Sequence, residues 1–350
     1  MPAIEEILRD AKEAGASDVH ITVGIPPKMR VNGKLITMNY SQMLPGDTLD
    51  VLVTIMSEVQ REHFEERGEY DMSFSIPNVG RYRVNAYKQR GSVALALRLV
   101  DTKVPSPEEL GVPESVVNLY QKKKGLVLVA GPAGSGKSTT LASIVDKINN
   151  NCDAHVITLE DPIEYLHQHR MAMVNQREIG IDSHNYRNAL RAALRENPDV
   201  IMLGELRDLD TISTALTAAE TGYLVLSSLP TNGAVNTVER IIEVFPPHQQ
   251  QKIRVQLANV LEAVVSQQLI PTVDRMGRVA AFEVMHTSPA VKSLIRESKT
   301  NELAEAMQAD RKLGSITMDQ AIMQLYLDGK IDRDMAIQFS QNPDSMEHKI

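Results

Sequence analysis

Residues Gly131-Pro132-Ala133-Gly134-Ser135-Gly136-Lys137-Ser138 fit the pattern G-x-x-x-x-G-K-S/T. Glycine lacks the Cβ that would stop a chain from turning successive N–H groups inward. Such a loop wraps phosphate oxygens with its own backbone. Lys137 adds a cation at the β/γ position, the Ser138 hydroxyl suits Mg²⁺, and Thr139 continues the phosphate contacts. The setting fits: an apolar run stops at Ala130 and a helical pattern begins near Lys137. Nucleotide binding is therefore expected, against the alternative of a glycine-rich turn.

A P-loop needs acids nearby. Asp199–Glu205 is an apolar run ending in Glu205, expected on a neighbouring strand and expected to hold Mg²⁺ through water. Many buried strands end in an acid, so this run gains meaning only beside the loop. Glu160, Asp161 and Glu164 crowd another strand end. Carboxylates so close repel unless a cation or reacting water is near, and one of them could polarise an attacking water. The alternative is a solvated loop with a capping acid. Phosphoryl transfer also needs cations near the γ-phosphate, often from a mobile element or a neighbouring subunit. Arg81, Arg83, Arg90 and Arg98 lie on or near early strands, and Arg191 and Arg195 precede the acidic run. Each could equally be a surface ion pair. His167 and His169 have no third ligand at a matching spacing and are expected to be exposed polar residues.

Two kinds of element must position these groups. Residues 2–14 form an amphipathic helix pattern with Ile4, Leu8 and Ala11 on one face. Strands are expected at Asp18–Val23 and Lys28–Met38, the latter split by Asn32-Gly33 into a hairpin. A broken helix over Asp47–Arg67 and strands at Asp71–Ile76, Tyr82–Tyr87 and Val93–Val100 complete an α+β domain over residues 1–100. Pro105, Pro107, Gly111 and Pro113 mark 101–114 as a stiff linker. From there to residue 350, short apolar runs alternate with helices, which is the grammar of a parallel sheet covered on both faces. Helices are expected at 247–268 and through most of the remaining chain, interrupted by a strand at Arg278–Met285.

Composition narrows the function. With 350 residues, two domains are expected. A net charge of −8 and no tryptophan disfavour a nucleic-acid track. The single cysteine, Cys152, excludes intrachain disulfides and multi-cysteine zinc sites and suits a reducing compartment. The acidic N-terminus is not a signal peptide, and no apolar run reaches the ~20 residues of a membrane span.

Taken together, Ala130–Thr140, Thr158–Glu164, Val174–Glu178, Ala192–Arg207, Ala215–Gly222 and Arg278–Val284 resemble the secretion-type hexameric ATPases. Within them the chain is most similar to the type IV pilus retraction ATPases, over about residues 3–335. The resemblance implies a PAS-like first domain and a RecA-like α/β second domain. It further implies a cytoplasmic homo-hexamer, peripheral at the inner face of the cytoplasmic membrane. ATP and Mg²⁺ would be its cofactors. ATP hydrolysis would work against an inner-membrane pilus platform protein, with a paralogous accessory ATPase as a further partner, to disassemble pili for twitching motility. By the same resemblance Glu164 activates water and Glu205 is the metal-site acid. Arg83 and Arg98 match first-domain arginines that approach the nucleotide, and Arg195 and Arg240 match further site arginines.

Two positions depart from the family. Its two histidine-box positions hold Tyr223 and Pro230 here, which puts γ-phosphate sensing in question, with Thr231 or Asn232 as substitutes. The retraction motif Ala-Ile-Arg-Asn-Leu reads Ala290-Val291-Lys292-Ser293-Leu294. The competing readings are a weakly hydrolysing regulatory or accessory ring ATPase, and a pilus-extension or type II secretion ATPase. The latter commonly carries an extra N-terminal region and a four-cysteine motif, for which 350 residues and one cysteine are expected to be too few.

Overall fold

A computed structural model describes residues 3–77, 79–100 and 103–350. It divides into two compact units, one running to Lys103 and including Glu164–Leu166, the other comprising Val104–Ile163 and His167–Ile350.

The first unit begins with α1 (Ile4–Glu13), β1 (Asp18–Ile21), β2 (Lys28–Val31) and β3 (Lys34–Thr37). It continues through α2 (Pro45–Ile55), α3 (Glu58–Arg67), β4 (Glu69–Ile76), β5 (Gly80–Gln89) and β6 (Ser92–Val100). The hairpin joining β2 to β3 has Asn32 and Gly33 both at positive φ, the conformation that matches strand twist in a two-residue turn. The expected helix break falls at Ser57, whose side chain and that of Gln60 satisfy each other's backbone N–H, while Gly68 closes α3 in the left-handed region. Asn78, in the turn between β4 and β5, lies outside the described residues. The sheet order is β3-β2-β1-β6-β5-β4, antiparallel throughout. Its core gathers Ile7 and Leu8 of α1, Leu52 of α2, Phe64 of α3 and Tyr82, Val84 and Leu97 of the sheet.

The second unit holds β7 (Gly125–Ala130), β8 (His155–Glu160), β9 (Met173–Glu178), β10 (Val200–Leu203), β11 (Leu224–Leu229), β12 (Leu261–Pro271) and β13 (Arg278–His286). Its helices are α4 (Glu114–Val117), α5 (Lys137–Asn151), α6 (Tyr186–Ala193), α7 (Leu209–Thr221), α8 (Ala234–Glu243), α9 (Pro247–Val260) and α10 (Pro289–Arg296). Four short helices close the chain: α11 (Leu303–Ala309), α12 (Met318–Leu327), α13 (Arg333–Phe339) and α14 (Pro343–Glu347). The sheet order is β13-β12-β7-β11-β10-β8-β9, parallel except for β13.

Every residue of β7 is buried because both faces are covered. Leu126, Leu128 and Ala130 pack with α6 to α11, while Val127 and Val129 pack with α4 and α5. Each of these aliphatic side chains larger than alanine contributes about 1.5–3 kcal/mol of burial. Val112, in the proline-rich stretch, is buried in this second core.

The helix expected over 247–268 ends at Val260, and Leu261–Pro271 is a strand instead. The segment pairs with β7 on one side and β13 on the other, and that two-sided ladder overrides its helical local pattern.

The Tyr82 hydroxyl donates to Leu8 O at 3.0 Å inside the first core. Burial pushes its phenol from an ordinary 10.0 up to about 12. The folded protein keeps that proton where the unfolded chain has lost it. The associated stability is complete below pH ~10 and drains away as pH rises through ~12. Tyr82→Phe is expected to lower stability at neutral pH by about 1 kcal/mol. It should also flatten part of the alkaline decline, as thermal melts from pH 7 to about 12 will show.

Candidate nucleotide site

All parallel strands of the second sheet end at one edge, and the loops leaving that edge carry the chemistry. Gly131 leaves β7 at φ 146, and a Cβ there would sit 2.3 Å from Gln267 O and 2.5 Å from Ser135 Oγ. Gly136 is the N-cap of α5 at φ 90, left-handed. Pro132, Ala133 and Gly134 form the exposed crest of the loop, and Ser138 is exposed in the first turn of α5. Thr139 is half-buried behind it. The first N–H groups of α5 have no carbonyl within the helix to pair with, so the loop ends on donors. Lys137 Nζ donates to Gly131 O at 3.0 Å and Pro132 O at 2.9 Å. The Ser135 hydroxyl is buried and finds no hydrogen-bond partner within the described residues, which marks a polar slot inside the loop.

The acids collect on the same edge. Glu160 closes β8, 8% exposed, and its Oε1 accepts from Thr158 Oγ1 at 2.7 Å and Gln176 Nε2 at 3.0 Å. Glu205 follows β10 and is half-buried, with Arg207 Nε 3.1 Å from its Oε2. That bond holds the Arg207 guanidinium above its ordinary pKa. The strand carrying Glu205 is not next to the loop strand, because β11 lies between β7 and β10. The neighbouring-strand expectation for Glu205 is corrected accordingly.

Tyr186, which the sequence reading missed, opens α6 among these acids. Burial above all, then the Asp161 carboxylate, pushes its phenol up, so its hydroxyl is a proton donor at any physiological pH. Gly204 makes room for it: a Cβ there would lie 2.8 Å from Tyr186 Oη.

The other expected residues lie on several elements of the two units. Glu164 is exposed and belongs with the first unit, while Ile163 before it donates its N–H to buried Glu178 at 3.1 Å. Arg83 and Arg98 face each other across β5 and β6, both exposed, and Arg98 Nε bonds Asp18 at 2.8 Å. Arg195 lies just past α6, its Nη1 donating to Arg191 O at 3.0 Å. The nearby Asp199 bonds His155 N at the amino end of β8, so Arg195 sits toward the sheet edge opposite the phosphate loop. Arg240 is exposed, about 9 Å along α8 from its start.

The two histidine-box positions lie at opposite ends of β11. Tyr223 precedes β11 at the amino end, half-buried against the core. Pro230 does leave the carboxyl end, exposed. Beyond it Thr231 Oγ1 is 2.7 Å from Thr237 Oγ1, so its hydroxyl is already engaged. The His167 side chain is only 1% exposed, against expectation, and burial lowers its pKa.

Glu283 is a further buried acid, on β13. It accepts from Ala234 N at 2.5 Å, Met318 N at 3.1 Å and Gln341 Nε2 at 3.3 Å, and its burial pushes the pKa up. Ala234 and Met318 are the first residues of α8 and α12. One carboxylate therefore serves two helix N-termini.

A loop strand flanked by β12 and β11, with acids two and three strands away, defines a RecA-like P-loop α/β fold. The chain belongs to the type II/IV secretion system protein family, whose model matches residues 1–333, and it is an ATPase of that family. It is 42% identical to the type IV pilus retraction ATPase PilT of Pseudomonas aeruginosa over 98% of this chain and 99% of that one. It is 40% identical to the type IV pilus ATPase PilU of the same organism, over 99% and 91% of the two chains. A crystal structure of the pilus retraction motor PilT with bound ADP superposes with a TM-score of 0.92 at 44% identity, covering 99% of this chain and all of that one.

Gly131→Ala is expected to weaken ADP binding by at least about tenfold, because the new methyl strikes the Gln267 carbonyl. Gly134→Ala meets nothing within 4 Å and should weaken it less, although its φ of +75 adds strain. Titration of both folded variants with a fluorescent ADP analogue compares them.

Proposed function

We propose that this chain is a motor ATPase of type IV pilus retraction, which disassembles the fibre and so supports twitching motility. The observation that carries the reading is end-to-end agreement with a relative named for that activity, with the phosphate loop intact at its centre. ATP binds with its phosphates in the loop of Gly131–Thr139. A cavity of about 620 Å³ bordered by Gly111, Thr139, Leu269, Val279 and Phe282 lies beside the loop and suits the nucleoside.

Ser138 and Glu205 are hard oxygen donors of the kind that hold Mg²⁺, which would supply charge neutralisation at the phosphates. Glu164 is the base that orients and deprotonates the attacking water. Arg83 and Arg98 bring positive charge to the γ-phosphate. Arg195 and Arg240 act across the interfaces of a homo-hexamer. Residues 1–100 form the N-terminal domain, 101–114 the linker and 115–350 the ATPase domain. Work is delivered to a platform protein at the inner face of the cytoplasmic membrane, with a paralogous accessory ATPase alongside. Among the described residues no helix is long and apolar enough to cross a membrane.

Glu164→Gln is expected to lower ATP turnover by about 10²-fold or more, the usual worth of a general base. ADP affinity should stay near wild type. In cells deleted for the protein, pili should extend and fail to retract, with rescue by the wild-type chain and none by the variant. Normal retraction in the deletion would leave an accessory role instead. Pro230→His, compared in the same turnover assay, should raise hydrolysis if the histidine contributes to γ-phosphate sensing.

A further inference from the structure

The phosphate loop leans on one residue of the adjoining strand. Gln267 lies on β12, 2% exposed, one step beyond the Ser266–Ala130 pair that ends the β12–β7 ladder. Its Nε2 donates to Ser135 O at 2.6 Å, and its Oε1 accepts from Thr140 Oγ1 at 2.8 Å. A carbonyl can only accept and so faces the NH₂ group, which fixes the amide orientation. Gly131 has no room for a Cβ because the Gln267 carbonyl stands 2.3 Å from that position, and Gly136 is confined by Gln267 Nε2 at 3.0 Å. Entry, middle and exit of the loop thus touch a single side chain and its backbone.

We propose that Gln267 is a positioning residue for nucleotide binding. Its amide draws the Ser135 carbonyl back toward β12, so the loop presents donors to phosphate. Its oxygen ties the same frame to α5 through Thr140. Water cannot substitute at a side chain so fully buried, and an apolar replacement leaves both a carbonyl and a hydroxyl without partners. A loop freed to turn that carbonyl outward would set a partial negative charge against an anionic ligand. The inference rests on the loop being the nucleotide site.

The test uses the full chain and ADP. Gln267→Leu keeps size and removes both bonds. Thr140→Val removes only the bond to α5, and Thr140→Ser keeps it. Folding is confirmed by circular dichroism, then the ADP Kd and the KM and kcat for ATP are measured. Gln267→Leu should raise the Kd and KM by about tenfold or more, with a smaller effect on kcat. Thr140→Val should raise both constants less, and Thr140→Ser should restore wild-type values. A purely structural role would lower the melting temperature and leave Kd and KM of the folded variants unchanged. ADP affinity within about twofold of wild type in folded Gln267→Leu overturns the proposal. If that variant does not fold, the same result in Thr140→Val overturns it. Failure of the wild-type chain to bind ADP would instead remove the nucleotide reading beneath it.

Discussion

A phosphate-binding loop is built from backbone and has almost no side chains with which to keep its own shape. Its geometry must be imposed from outside, and the second unit is arranged around that requirement. The strand leading into the loop is buried on both faces and paired on both edges. The helix leading out starts at a left-handed glycine and packs against the same sheet. Parallel pairing then fixes where everything else can be. Strands running the same way bring Glu160 and Glu205 to the loop's edge and send Tyr223 and Arg195 toward the other. The position of a residue along its strand therefore decides which chemistry it can join.

This explains what the sequence disclosed and what it withheld. The loop motif, the double-sided apolar runs and the Asn32-Gly33 hairpin are local patterns, and each forms where expected. The misreadings share a different character. Leu261–Pro271 is a strand because of partners at 126–130 and 278–286, which no window of neighbouring residues contains. Gln267 contacts Ser135 and Thr140 across 132 and 127 residues of chain. Tyr186 opens a helix and gives no signal that its hydroxyl meets the acids of two other strands. His167 reads as polar surface, yet its ring is enclosed. The one usable hint was the glycine at 204, placed between an apolar run and an acid, where a side chain would have struck Tyr186.

The exposed Arg98 is held more weakly than the loop. Arg98 is held by Asp18 from the adjoining strand, and burial opposes that carboxylate's charge while Ser17 and Arg98 favour it, with a net lowering of its pKa. Exposed pairs of this kind contribute about 0–1 kcal/mol. The Arg98 pair is thus exposed and weak, whereas the bonds of Gln267 to Ser135 and Thr140 are buried.

Glu283 gives that contrast a mechanical meaning. A carboxylate that receives the leading N–H groups of both α8 and α12 acts as a pin through two hinged plates. Neither helix can withdraw without stripping a hydrogen bond from a buried acid and leaving it short of donors. The segment after β11 and the start of α12 therefore share one buried acid. The connection needs no continuous chain of contacts, since two oxygens of one side chain span it.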